Sequence, residues 1–218
     1  MKGHLKNVCM FNLMELQSVE FCQKSRFVEW KHLYTSGSFY FQMERKLAIL
    51  VPFFEDPGKQ YSIRELSRKL NINHMTVRKY LNDLVKDKFL SLEKGGVYVF
   101  YRLIQNKKVL NLKLYYNLEK IRKSKIIEAL EIEFDLPVVV LFGSYSLGMD
   151  DLHSDVDLCL ISNVEKEFSF KKYEKKLKRT VSIHKFNKTS WNRAKKSNPE
   201  LINNISNGLV LSGEFEVL

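Results

Sequence analysis

The stretch Gly143-Ser-Tyr-Ser-Leu-Gly-Met-Asp-Asp-Leu-His-Ser-Asp155-Val-Asp157-Leu158 decides the reading of this 218-residue chain. Immediately before it, Pro137-Val-Val-Val-Leu-Phe142 is an apolar run that predicts a buried strand ending in a tight turn. After it, Val156, Leu158 and Leu160 alternate with Asp155, Asp157 and Cys159, which is the period of a half-buried strand. Alternation puts both aspartates on one face, about 6–7 Å apart at two strand steps. Two carboxylates converging from one face suit Mg²⁺ shared with substrate phosphates. The Gly-Ser turn offers those phosphates backbone N–H groups and a hydroxyl.

Strand, Gly143-Ser144, a nine-residue spacer and Ser154-Asp155-Val156-Asp157-Leu158 follow one another in a specific order. The constellation resembles the DNA polymerase β-like nucleotidyltransferase superfamily, which includes the kanamycin nucleotidyltransferases. The resemblance implies that Gly143 and Ser144 hold a triphosphate. It also implies that Asp155 and Asp157 ligate Mg²⁺ and serve catalysis. That superfamily supplies a third carboxylate from a later strand. Here the next strand candidate, Thr180-Val-Ser-Ile-His-Lys-Phe186, contains no acid. Ser182 and His184 share one of its faces; His184 is a candidate replacement, although imidazole nitrogen is a poorer Mg²⁺ partner than oxygen. Asp150 and Asp151, in the spacer, read as solvated loop acids.

Residues 61–103 read independently as a winged helix-turn-helix. Ser62-Ile-Arg-Glu65 is a capping-box pattern, with Ile63, Leu66 and Leu70 on the apolar face. Asn73 is a candidate N-cap for a second helix, along which Val77, Leu81, Leu84 and Val85 keep helical spacing. Phe89–Leu92 and Val97–Tyr101 flank Gly95-Gly96 as a hairpin signal. In this architecture the second helix enters the major groove, presenting His74, Met75, Thr76, Arg78, Lys79 and Asn82 to DNA. Arg and Asn side chains read base edges, whereas Lys contacts phosphate. A module limited to protein contacts is the competing reading.

Charge distribution favours a nucleic-acid partner. The chain is +11 overall, and residues 43–134 hold 19 basic against 11 acidic residues. Residues 135–218 are nearly balanced, with 12 basic and 11 acidic residues. A basic module beside a near-neutral nucleotide domain is the pattern of a nucleic-acid reader.

The expected fold class is α/β (α+β), an N-terminal winged helix-turn-helix plus a small mixed-sheet nucleotidyltransferase domain. The expected divisions are an N-terminal extension over 1–42, a winged helix over 43–105, a connecting helix over 106–134 and the nucleotidyltransferase domain over 135–218. Met43 reads as a natural translation start. Within 111–134, Leu114, Leu118 and Ile121 mark one helical face. A phase slip near Lys123-Ser-Lys125 predicts a break, and Lys120, Arg122, Lys123 and Lys125 read as a solvated basic face. Helices over 168–179, 187–196 and 199–207 and a closing strand near 208–213 complete the domain. The span from Met43 resembles archaeal proteins in which a winged helix precedes a minimal nucleotidyltransferase. Tyr116-Asn-Leu-Glu-Lys-Ile121 and Leu141-Phe-Gly-Ser-Tyr145 are part of that likeness.

Cys9, Cys22 and Cys159 have no metal-ligand spacing, and an odd count fits a reducing cytosol. With no membrane-length apolar run and no signal-peptide pattern, a cytoplasmic protein without a membrane partner is expected. The functional expectation is transfer of a nucleotidyl group from an NTP such as ATP to an acceptor hydroxyl on a small molecule, nucleic acid or protein. The resemblance to minimal nucleotidyltransferases of toxin–antitoxin pairs implies protein tyrosine as one such acceptor. The alternative is a DNA-binding regulator, or an antitoxin-like protein with a toxin partner, whose nucleotidyltransferase domain is degenerate. A homodimer on a pseudo-palindromic DNA site fits either reading.

Overall fold

The computed structural model describes residues 37–95 and 98–214; the expected extension before residue 37, and therefore most of the 1–42 division, lies outside them. The described residues from Glu44 onward form one compact unit. The first element of the described residues is helix α1, Gly37–Glu55. Pro52 lies inside this helix, three residues before its end. Phe53 and Phe54 are fully buried, and that packing outweighs the missing N–H of proline. The Pro52 carbonyl accepts from both Asp56 N and Tyr61 Oη at 3.2 Å.

Helices α2 (Ile63–Leu70) and α3 (His74–Lys86) follow, then strands β1 (Leu90–Gly95) and β2 (Tyr98–Leu103). Ser62 caps α2 by accepting from Glu65 N at 3.3 Å, and Asn73 caps α3 by accepting from Met75 N at 2.8 Å. Asn71 ends α2 with φ 52°, a left-handed conformation that asparagine tolerates. The hairpin pairs Leu90 with Leu103 through to Gly95 with Tyr98. Ile49, Phe53, Leu66, Val77, Leu81, Leu84, Leu90 and Tyr101 form one core for these elements.

Helix α4, Lys107–Ser124, leaves that core through Val109 and enters a second one through Ile121. The expected break falls at Lys125 (φ 65°), before α5, Ile126–Glu133. Leu114 and Leu118 are only partly buried, whereas Val109, Lys113, Asn117, Ile121 and Ser124 form the buried stripe. An apolar-periodicity reading assigns Lys113 and Asn117 to solvent because it has no way to foresee their buried partners.

The remaining elements are β3 (Val138–Phe142), α6 (Gly143–Leu147), β4 (Val156–Ile161), α7 (Lys171–Leu177), β5 (Val181–Phe186), α8 (Lys188–Ser197), α9 (Pro199–Ser206) and β6 (Leu209–Ser212). They build a four-stranded mixed sheet of order β5-β4-β3-β6, with β4 and β5 parallel and the other pairs antiparallel. This mixed α/β architecture agrees with the fold class expected from the sequence. Helix α7, shorter than the expected 168–179 span, provides the crossover between the parallel strands. Val139, Leu141, Val156, Leu158 and Leu160 face Ile121, Ile126, Leu130 and Leu177. On the opposite face, Val140, Phe142 and Cys159 pack on Trp191, Ile202 and Ile205. Cys159 is a free, fully buried thiol whose pKa burial pushes up to about 12, which leaves it inert as a nucleophile. No helix among the described residues is long and apolar enough to cross a membrane.

Candidate functional site

The sheet brings the Gly-Ser turn and the Asp-x-Asp strand together. Phe142, the last residue of β3, pairs with Asp157 of β4, so the turn at Gly143 begins beside the Asp157 side chain. Gly143 has φ 71°, and a Cβ there would collide with the Asp157 carboxylate. Backbone conformation and close approach therefore demand glycine at the same position. Gly143→Ala is expected to lower the melting temperature, which thermal unfolding checks.

Ser144 stands half-buried in the first turn of α6, and its carbonyl accepts from Met149 N at 3.0 Å. The Ser146 hydroxyl donates back to Gly143 O at 2.8 Å and tightens the same turn. Gly148 closes α6 with φ 67°, against the backbone of Leu110 and Leu114 on α4.

Asp157 is half-buried, and Asp155 is exposed immediately before β4 rather than within it. Burial raises the Asp157 carboxyl above its ordinary range. The Ser182 hydroxyl hydrogen bond and the nearby His184 oppose that shift, while Asp155 adds to it. Parallel pairing places Ser182 directly in register with Asp157 and His184 in register with Cys159. Ser182 therefore holds the position closest to the Asp-x-Asp pair on the neighbouring strand. His184 lies one pleat further along, where its ring meets Phe142 edge-on at 5.4 Å between centroids. Among the described residues, no three His, Cys, Asp or Glu side chains gather into a metal site. The donor set is thus two hard carboxylates. It fits Mg²⁺ whose remaining ligands come from water and substrate phosphates.

Of the two spacer acids, Asp150 differs from expectation. Asp150 is buried, 2% exposed, and forms an ion pair at 3.1 Å with Lys113, which is equally buried. Lys113 Nζ also donates to Asp150 O. Asn117 Nδ2 donates to Asp150 Oδ1 at 2.7 Å and to Tyr145 O at 3.1 Å. Burial pulls the Lys113 ammonium below its ordinary range against the attraction of Asp150. Helix α4 thereby grips the spacer between Gly143 and Asp155 at two points. Asp151 is exposed but shapes the loop, accepting from His153 N and Ser154 Oγ at 2.9 Å each.

A second polar cluster involves Glu55, at the end of α1. It accepts from Tyr116 Oη and from Lys120 Nζ, the latter at 2.8 Å. Arg179 Nη2 lies 3.8 Å from its carboxylate and donates to Glu55 O at 3.1 Å. Lys120 is thus drawn out of the basic face expected to be solvated, whereas Arg122 pairs with Glu119 and Lys125 with Glu128 on the surface.

In the helical module, His74, Met75, Arg78, Lys79 and Asn82 are exposed on α3, and Thr76 is half-exposed. Asn82 Oδ1 accepts from Tyr101 Oη at 3.4 Å, a long bond that ties this position to β2.

Residues 123–212 match the family model of the nucleotidyltransferase domain, so this part of the chain is a nucleotidyltransferase domain. The match takes in the Gly-Ser turn, the Asp-x-Asp pair and all four strands of the mixed sheet. A search of curated proteins finds no match. Among solved structures, one described as an ICLR transcriptional regulator from Silicibacter sp. is 19% identical, with a TM-score of 0.28 over 47% of this chain and 39% of that one. A transcriptional regulator from Rhodococcus sp. is 16% identical, with a TM-score of 0.28 over 47% of this chain and 40% of the other. The chain therefore covers about two fifths of these proteins, and likeness at that level carries no argument about fold or function.

Proposed function

We propose that the domain over 135–218 binds an NTP with Mg²⁺ and transfers its nucleotidyl group to an acceptor hydroxyl. The observation that carries this reading is the abutment of Gly143 on Asp157, which joins a phosphate-binding turn to a metal-binding strand. In it, Gly143 N–H and the Ser144 hydroxyl receive phosphate oxygens, and Asp155 and Asp157 hold the metal. Bound Mg²⁺ supplies charge stabilisation at the transferred phosphate. The acceptor oxygen forms a bond to the α-phosphorus as the bond to the leaving pyrophosphate breaks, and the hydroxyl proton passes to solvent. Nucleotidyl transfer is tested with α-phosphate-labelled NTP. Label transfer and pyrophosphate release above the rate of the Asp155→Asn, Asp157→Asn variant support it; identical rates overturn it.

The module over 43–105 is proposed to be a winged helix that binds DNA through His74, Met75, Thr76, Arg78, Lys79 and Asn82. The exposed basic α3 supports this reading. Arg78→Ala with Lys79→Ala is expected to weaken DNA binding about tenfold at 0.1 M salt. It also flattens the dependence of log affinity on log salt by about one to two. Mobility shifts across a salt series measure both. A homodimer on the DNA and a protein partner or acceptor belong to the same proposal.

One observation favours the second reading, a DNA-binding regulator or antitoxin-like protein with a degenerate domain. Ser182, not a carboxylate, is the residue paired with Asp157 on the neighbouring strand. That reading predicts intact DNA binding with no label transfer.

A further inference from the structure

A cleft of about 480 Å³ opens beside Asp155, with Ser154, Thr180, Glu174, Lys178 and Arg179 also in its wall. Arg179 is 9% exposed, and its Nε is buried without a hydrogen-bond partner. A buried donor left unpaired is costly, so Arg179 is held with one guanidinium N–H unspent. The rest of the guanidinium is fixed: Nη1 donates to Lys178 O at 3.2 Å and Nη2 to Glu55 O at 3.1 Å. Lys178 is exposed beside it, at the left-handed end of α7 with φ 54°.

The two acids in the cleft wall have other tasks. Glu174 Oε1 accepts from Val181 N at 3.0 Å and so holds the start of β5. Asp155 belongs to the proposed metal pair. The next residue after Arg179 ties the cleft to that pair, because Thr180 O accepts at 2.9 Å from Val156 N, between the two aspartates.

We infer that this cleft is a subsite for an anionic group, phosphate or carboxylate, of a ligand bound at the Asp155–Asp157 site, gripped by Lys178 and Arg179. The inference deepens the nucleotidyl-transfer reading and rests on it for the identity of the neighbouring site. Arg179 suits the role because its plane is already set before the ligand arrives. The anion comes either from the polyphosphate of the nucleotide or from an acidic acceptor.

Calorimetric titration of the full chain with inorganic pyrophosphate, without Mg²⁺, tests the subsite. Lys178→Gly removes the exposed cation and suits the left-handed backbone. Arg179→Lys keeps a charge opposite Glu55 but removes the fork. Each variant is expected to bind pyrophosphate about tenfold more weakly than wild type while remaining folded by thermal melting. Unchanged affinity in Lys178→Gly and Arg179→Lys, or no pyrophosphate binding by wild type, overturns the subsite. Competition between pyrophosphate and NTP assigns the cleft to the nucleotide's own phosphates, and simultaneous binding assigns it to an acidic acceptor; both support the subsite. NTP binding that needs Asp155 and Asp157, together with pyrophosphate binding that ignores both cation variants, overturns the subsite and leaves the nucleotide reading standing. Pyrophosphate binding lost in the cation variants, with no NTP binding by wild type, supports the subsite and sinks the nucleotide reading.

Discussion

Replacing Asp155 and Asp157 together by asparagine is expected to lower nucleotidyl transfer by roughly a thousandfold or more. The loss expected is the several kcal/mol of charge stabilisation that a bound metal contributes at the reacting phosphate, at about 1.4 kcal/mol per decade of rate. The same variant should fold as well as wild type. Burial raises the Asp157 carboxyl above its ordinary value, so the folded state holds that proton more tightly than the unfolded state. The ionised carboxylate therefore opposes folding at neutral pH, and this destabilisation fades as pH falls through the raised value. A neutral amide removes it, so the melting temperature at pH 7 should be equal or higher. A kinetic assay and a thermal melt on the same preparation separate lost chemistry from lost structure.

The largest effect on stability is expected from Lys113→Ala. Lys113 and Asp150 are both 2% exposed, and removing one partner leaves a buried charge alone. Breaking a pair in this way costs about 3–5 kcal/mol, or roughly 10 °C in melting temperature for a chain of this size. The combined Lys113→Met, Asp150→Asn variant should recover most of that loss. Methionine fills the lysine's volume, and the new amide can still accept from Asn117 through its carbonyl. If the combined variant melts as low as Lys113→Ala, loss of charge is not the cause. Nucleotide affinity should fall with Lys113→Ala as well, because α4 no longer holds the spacer between Ser144 and Asp155.

The elements with strong local signals are legible in the sequence itself. Asn73 caps α3 because a short amide side chain before an apolar-periodic run has an N–H two residues on to satisfy. The β3 strand, the Gly143 turn and the Asp157 strand were readable because two buried strands bounded by glycine and aspartate leave few alternatives. The break at Lys125 followed from a phase slip in apolar spacing. Polar burial was not legible. Lys113 and Asn117 occupy a buried stripe only because Asp150 and Tyr145 O arrive from 33 and 28 residues beyond Asn117. Glu55 and Arg179 meet across 124 residues, and no local pattern announces such a contact. In the sequence Ser182 is one polar residue on a strand face. Only the parallel register of β4 and β5 shows it to be the partner of Asp157.

The stripe on α4 also gives that helix a mechanical role. Its first turns belong to the core of the helical module through Val109, and its later turns to the core of the sheet domain through Ile121. Between them it grips the spacer that separates Gly143-Ser144 from Asp155-Asp157. Glu55 adds a second tie, from the end of α1 to Lys120 and Arg179. The proposed nucleotide site and the proposed DNA-binding helix are therefore held by one continuous set of packed and hydrogen-bonded groups.

Calorimetric titration of NTP into the full chain, with and without Mg²⁺, on wild type and Asp155→Asn, tests the central claim most directly. The account predicts saturable binding that requires Mg²⁺ and is lost in Asp155→Asn while the variant stays folded. Absence of binding by folded wild type, or Mg²⁺-independent binding that Asp155→Asn leaves unchanged, would contradict it.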